Sequence, residues 1–513
     1  MEVGATAAAK ISPWPAKVWA DAPGITFEAG AANGTFKAAI AKDAPVGPHL
    51  IRVYNADGTS SPHVFVVGRH AEVLEREPND DARKAQPIDA LPAIVNGRLE
   101  KPGDVDSFSV QVEAGRWIVG ELQCRRLGAP IDPALHLLDP DGNEVAFNHD
   151  TFGLDPLIAC RAVRPGRYVV QVVGFDYPPS TNVRFAGSKA AVYRLLLTTG
   201  PYARYAFPAG LKRGQKAALQ IGGWNLGESG TRTSVEFDAI GLPAHLPFKL
   251  LTVPDIDNSL PIALGDCPER SFDADEYEPG KPRDVKPPVT LNGRLAHAGE
   301  THRYRFMALK GRQYHFAPAP FLSDLPVRPA LVLEDAHGAA IARGEGAEAG
   351  DAAAIEWTAP ADGTYTLAVS DLYHEGGDES VYRIEMRPVT PDYRATRAAD
   401  ALKLEAGKSA PLKVTIAREG GFAAPVEAVL TGLPAGVTAT TSGATIAGEL
   451  TLTLAAAPGA APANVPLRVL AVAADPDDPR PRVATFALAP DSLVPACDTI
   501  WLTVVPRPPA TQP

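Results

Sequence analysis

At 513 residues the chain is too long for one hydrophobic core, and at roughly 100 to 150 residues per domain it should divide into about four or five. Gly 45 and Pro 50 beside 45% hydrophobic residues suit β-modules joined by many turns and argue against a disordered low-complexity chain. A formal charge of -11 with Lys and Arg scattered argues against a nucleic-acid or anionic-membrane surface, and no apolar run is long enough to span a membrane.

The opening MEVGATAAAKISPW lacks a signal-peptide core. Residues 1–69 read as an immunoglobulin-like unit similar, from its second strand onward, to residues 200–268, where FPAGLKRGQKAALQIGGWNL and SVEFDAI read as strands and turns. The first unit has no counterpart of FPAGLKRG. Its first strand is therefore expected upstream of Met1, with a signal peptide as a further possibility there.

The segment EREPNDDARKAQ gathers Glu75, Glu77, Asn79, Asp80 and Asp81 around one proline. Two readings fit it: Asn79 or Asp80 caps a helix, or several oxygens converge on a hard cation. Beyond it, VNGRLEKPGDVDSFSV from Val95 returns as LNGRLAHAGETHRYRF from Leu291. DPALHLLDPDGNEVA from Asp132 returns as RPALVLEDAHGAAIA, RPGRYVVQVVGFDY as PADGTYTLAVSDLY, and AVYRLLL as SVYRIEM. Order and spacing are kept, so a domain over 70–199 is duplicated over 269–389. Within each repeat, period-2 alternation in SFSVQV, RYRF, YVVQVV and TYTLAV between DPDG, DAHG, RPG and ADG turns predicts about eight short antiparallel strands in a sandwich. Residues 390–508 alternate likewise and read as a larger immunoglobulin-like domain, followed by a tail at 509–513. The predicted fold class is all-β: tandem antiparallel β-sandwiches, jelly-roll-like repeats alternating with immunoglobulin-like domains. The boundary PGKPRDVKPP suggests a stiff spacer.

Residues 75–199, through EPNDD, NGRLEKPGDVDSF, DPALHLLDPDG and RPGRYVVQV, resemble the bacterial pre-peptidase C-terminal domain, a secreted β-sandwich appended to exported proteins. Residues 269–389 resemble a degenerate second copy, and the alternation is similar to secreted planctomycete-type multidomain proteins. The resemblance implies non-catalytic work: binding, folding assistance or surface attachment. Related collagen-binding domains hold calcium through an acidic N-terminal segment and a later Asp-containing loop. By motif, Glu75, Glu77, Asn79 and Asp80 match the first, and Asp104 or Asp106 the second. Collagen binding does not carry over.

Alternation of Glu75, Glu77 and Asn79 independently places their oxygens on one side of an extended segment, where the DVD turn can complete a calcium site. The competing reading is a solvated linker with an Asx turn. In the second repeat Glu276 and Glu278 persist, but Gly280 replaces Asn79 and the pair Glu300 and His302 replaces the two aspartates, which predicts no tight calcium binding there.

DPDGNE from Asp139 reads as a hairpin turn rather than a calcium loop, and His149 as a loop residue. Cys124, Cys160, Cys267 and Cys497 lack metal spacing; the first two are either small core residues or a bridged pair. No GxSxG, HExxH, Walker or GxGxxG pattern occurs, which argues against an enzyme. Phe175, Tyr177 and Phe185, on the loop from Gly174 to Ala191, form a ligand-binding surface or else close the end of the sandwich. The reading is a secreted, periplasmic or cell-surface binding or scaffolding protein with a protein or polysaccharide ligand. The alternative is an accessory component of an exported peptidase or other hydrolase.

Overall fold

A computed structural model describes residues 1, 6–10, 15–181, 184–227, 233–242, 246–272, 278, 280–318, 326–345, 353–474, 481–489 and 491–507. The fold is all-β, and among these residues the only helical turns are two short 3-10 segments. No helix is long and apolar enough to cross a membrane. The tail at 509–513 and Glu276 lie outside the described residues.

The first repeat is two five-stranded sheets. One runs in the order Leu157–Arg161, Trp117–Gln123, Val192–Thr198, Ala93–Arg98, Ala71–Leu74. The other runs Glu144–Asn148, Ile131–Leu138, Gly166–Asp176, Asp106–Val112, Gln86–Pro87. The second repeat has the same two sheets in the same order, from Ile355–Thr358 to Glu269–Phe272 and from Ala340–Glu345 to Arg283–Asp284. Each therefore has ten strands where alternation alone suggested about eight. The extra pair comes from the entering linker, whose Ala71–Leu74 and two-residue Gln86–Pro87 add to sheet edges, the latter in parallel to Phe108 and Ser109. Alternation places Phe108, Val110 and Val112 inward, against Val95, Leu195 and Leu197 of the facing sheet, all buried.

The DPDG and DAHG turns repeat in structure as in sequence. Asp139 Oδ1 accepts the Asp141 and Asn143 N–H groups, Asp335 Oδ1 accepts those of His337 and Ala339, and Gly142 and Gly338 supply the positive φ of 87° and 82°. DPDGNE is thus a hairpin turn. All four cysteines are free; Cys124 is buried in the first core and Cys160 packs against it.

The chain divides into two compact units. In the larger, Val73–Arg125 with Ala129–Val389, residues 200–268 form two three-stranded sheets whose flanks are packed at both sides. On one, Trp224 lies between Trp117 and Tyr202 with ring centroids 5.9 and 5.6 Å away, and Asn225 bonds both backbone groups of Trp117. On the other, Arg294 lies 4.9 Å from the Phe207 ring, and the Asn292 side chain accepts Ala209 N–H. Ring stacking and side-chain to backbone hydrogen bonds hold these junctions.

The second unit joins Met1–Glu72 to Thr390–Pro513, with the short Arg126–Gly128. Fully buried Arg52 donates to Asp400 Oδ2 and to the Asp400 carbonyl, each at 3.1 Å. Trp501, also buried, meets Trp19 edgewise at 5.6 Å and Tyr54 at a tilt at 4.8 Å, and Asn464 bridges Trp501 Nε1 to the Asn55 carbonyl. Removing the Asp400 carboxylate leaves a buried guanidinium short of a partner. Asp400→Ala should cost about 2 kcal/mol, read as a lowered denaturation midpoint of the transition that reports on Trp501 fluorescence; an unchanged midpoint would show that this contact is energetically idle.

Candidate metal site

The acidic segment leaves the strand Ala71–Leu74 and passes the mouth of the sandwich. Glu75 N–H donates to the Asn96 carbonyl and Glu75 Oε2 accepts Arg98 N–H at 2.6 Å, so its carboxylate turns inward. Asn79 is tied to the other sheet, where its carbonyl accepts Ser107 N–H. From that sheet, Asp106 starts a strand in register with Val172, and Asp104 sits in the preceding turn, its Oδ2 accepting Glu100 N–H. Gly103, with φ of 87°, makes that turn possible and donates to the Phe185 carbonyl.

Oxygens of Glu75, Glu77 and Asp106 lie within 4.8 Å of one another. Asn79, Asp104 and Asp106 are each at most 1% exposed. Buried polar atoms normally find partners, yet Glu75 Oε1, Asn79 Oδ1 and Nδ2, Asp104 Oδ1 and Asp106 Oδ1 have no hydrogen-bond partner. Lys101 Nζ stands 3.6 Å from Asp104 Oδ1, beyond hydrogen-bond reach. Two facing carboxylates offer only acceptors, so Glu75 and Asp106 must share either a proton or a cation. Burial first, then the Glu75 carboxyl, pushes Asp106 up to about 9; burial also raises Glu75, with Asp106 and the Arg98 N–H pulling the other way.

Of the six residues singled out by sequence, Asn79 and Asp104 lie buried at the start of the Asp106–Val112 strand, and Glu75, Glu77 and Asp106 bring their oxygens together. Asp80 does neither: it is exposed, outside the cluster, as expected of a side chain out of phase with Glu75, Glu77 and Asn79. Nor do Asn79 or Asp80 cap a helix. Asp81 does, its Oδ1 accepting Arg83 N–H at 3.0 Å ahead of the single 3-10 turn Ala82–Lys84, and the Arg83 guanidinium holds Asp81 down to about 2.

Sequence reasoning missed two residues. Tyr193, on the opposite sheet, donates its hydroxyl to Asp106 Oδ2 at 2.6 Å. It reaches there across Gly97, where a Cβ would lie 2.2 Å from the Tyr193 oxygen and 2.7 Å from Glu75 Oε2. The available signal was the recurrence of NGR and VYR in both repeats.

In the second repeat Tyr382 crosses Gly293 in the same way. Its hydroxyl meets His302 Nδ1 at 2.6 Å, and His302 Nε2 meets Glu300 Oε1 at 2.8 Å. Glu300 Oε2 accepts His297 N–H, as Asp104 accepts Glu100. None of these side-chain atoms is left unpartnered. Glu278 is exposed and paired with Lys281.

Phe175 lies in the strand Gly166–Asp176, opposite Asp132, rather than on the loop; Tyr177 and Phe185 follow the strand, and none of the three is a member of the buried core. Phe175 and Phe185 pack edge to face at 5.6 Å, and the Arg125 guanidinium covers Tyr177 at 3.9 Å. Phe175 and Tyr177 stay 36% and 39% exposed. His149 pairs with its neighbour Asp150.

No known protein-family profile matches the chain. A probable subtilase-type serine protease of Deinococcus radiodurans is 35% identical over 101 residues, which are 19% of this chain and 14% of that protein. Among solved structures, the pre-peptidase C-terminal domain of a Bacillus anthracis collagenase aligns over 22% of this chain and 98% of its own length at 18% identity, with a TM-score of 0.17. Fibronectin(III)-like modules of Clostridium thermocellum CbhA align over 38% of this chain and 87% of theirs at 14% identity, with a TM-score of 0.15.

Two outcomes follow from this geometry. Gly97→Ala should destabilise the first repeat by about 1–3 kcal/mol or more, since Tyr193 and Glu75 must both shift; an unchanged melt would refute the close approach. Asp106 has a folded value above its unfolded value of about 4, so its contribution is complete in acid and is lost as pH rises toward 9. In chelator, melting of the first repeat should therefore fall from pH 5 to pH 9, and Asp106→Asn should flatten that slope; a rise with pH would contradict the shared proton.

Proposed function

We propose that this is a non-catalytic binding or scaffolding protein of the cell exterior or envelope, built of β-sandwich modules, whose first repeat is closed by one calcium ion. The observation that carries the metal is the convergence of Glu75, Glu77 and Asp106 oxygens, with Glu75 Oε1 and Asp106 Oδ1 lacking a hydrogen bond, near buried Asn79 and Asp104, each of which also has a side-chain oxygen without one. All are hard oxygen donors, the carboxylate and amide types that calcium takes in sets of about six to eight. Glu75, Glu77, Asn79, Asp104 and Asp106 would hold the ion and solvent would fill the remaining positions. Bound there, calcium supplies charge neutralisation and cross-links the entering linker to both sheets. Tyr193 orients Asp106, and Arg98 N–H orients Glu75.

The half-exposed Phe175 and Tyr177, with Arg125 and Phe185, form the surface offered to a protein or polysaccharide ligand. Aromatic rings held at a strand end and on the following loop of a sandwich suit both classes. The match to part of a subtilase-type protease favours a second reading: an accessory part that serves an exported peptidase, with the catalysis on another chain.

Calcium modules of the extracellular type bind at about 0.1 to 1 mM, so 1 mM calcium should stabilise the first repeat by roughly 0.4 to 1.4 kcal/mol over chelator. This would raise its melting temperature by a few degrees. Asn79→Ala and Asp106→Asn should each abolish the shift and Asp80→Ala should keep it. Absence of any shift, or one indifferent to Asn79 and Asp106, would remove the metal from the account.

A further inference from the structure

The position that the first repeat leaves open is closed in the second by a chain of hydrogen bonds running from one sheet to the other. Tyr304 and Tyr382 meet through their hydroxyls, Tyr382 meets His302 Nδ1, and His302 Nε2 meets Glu300. The first repeat cannot form this chain, because Phe108 stands at the register position of Tyr304 and Asp106 at that of His302. His302 is 1% exposed, so its neighbours rather than hydrating water decide which ring nitrogen carries the proton.

The neighbours select one arrangement. The Glu300 carboxylate only accepts, so Nε2 carries a proton. Nδ1 is then the acceptor for the Tyr382 hydroxyl, and the Tyr382 oxygen is free to accept from Tyr304. Every group is satisfied with a neutral imidazole. We propose that His302 makes the second repeat an acid-released module, whose inter-sheet chain is intact while the imidazole is neutral and broken when it is protonated.

Protonation turns Nδ1 into a donor. Tyr382 must then reverse its hydroxyl toward Tyr304, and Tyr304, wholly buried against Phe272 at a centroid distance of 5.3 Å, must redirect its own proton away from Tyr382. Among the described residues, the titratable and charged groups set around His302 are Glu300 from its own turn, Tyr382 from Val381–Pro388 with Tyr304 behind it, and the Arg283 guanidinium from the edge strand Arg283–Asp284. Burial lowers the imidazole from its ordinary value, and Arg283 adds to this; the Glu300 carboxylate opposes them without reversing the sign. A folded value below the unfolded one means that the open state binds more protons. Stability is therefore full above about pH 6.5 and declines as pH falls toward the folded value. This inference does not depend on a cation in the first repeat.

The test is hydrogen exchange of the full chain in chelator between pH 8 and pH 5, corrected for the intrinsic pH dependence of exchange. Peptides covering residues 301–308, 363–371 and 381–388 should lose protection below about pH 6.5, by at most about tenfold per pH unit for a single proton. His302→Gln keeps a donor and an acceptor without titrating, and should show a flat profile. The wild-type profile decides the matter even if that variant folds poorly: protection constant from pH 8 to pH 5 overturns the proposal. An acid response retained in a folded His302→Gln protein overturns its assignment to this residue.

Discussion

The sandwich repeats depend on a hydrogen bond carried from one sheet to the other by a tyrosine that passes over a glycine. Tyr193 crosses Gly97 to reach Asp106, and Tyr382 crosses Gly293 to reach His302. Any side chain at either glycine would occupy the space of the phenol, which is why NGR and VYR return together in the two repeats. A polar group so deep must be met by another polar group, because an unmet buried donor or acceptor costs about 1–3 kcal/mol.

The two repeats answer this demand with different chemistry. The first surrounds its tyrosine with carboxylates and an amide that do not satisfy one another, so the balance is left to a proton or a cation. The second surrounds its tyrosine with a histidine, a glutamate and a further tyrosine that do satisfy one another. The two repeats share the frame and differ in the side chains that meet the tyrosine. Above these sites, the junctions around residues 200–268 and the Arg52–Asp400 and Trp501 contacts are also buried and polar at their centres, so order extends beyond each sandwich within its own unit.

Much of this was legible in the sequence, for identifiable reasons. Period-2 alternation and recurrent turns are local signals, so the all-β class, the repeated pattern and the DPDG hairpin could be read directly. Alternation also separates Asp80 from Glu75, Glu77 and Asn79, a distinction that grouping them by charge obscured. The short edge strand Gln86–Pro87 carries too few residues to show a period. Tyr193 was invisible as a site residue because its partner Asp106 lies far away in sequence and belongs to the other sheet. The replacement of Asp106 by His302 was readable, but its meaning required Tyr304 and Tyr382 to be seen beside it.

The central claim is that the buried polar gap is completed by a cation in the first repeat and from within in the second. Equilibrium dialysis of the full chain against radiolabelled calcium at pH 7.5 measures it most directly. The account predicts one equivalent bound per chain, lost in Asp106→Asn and unaffected by His302→Gln. No binding would remove the cation, and two equivalents would contradict the difference between the repeats.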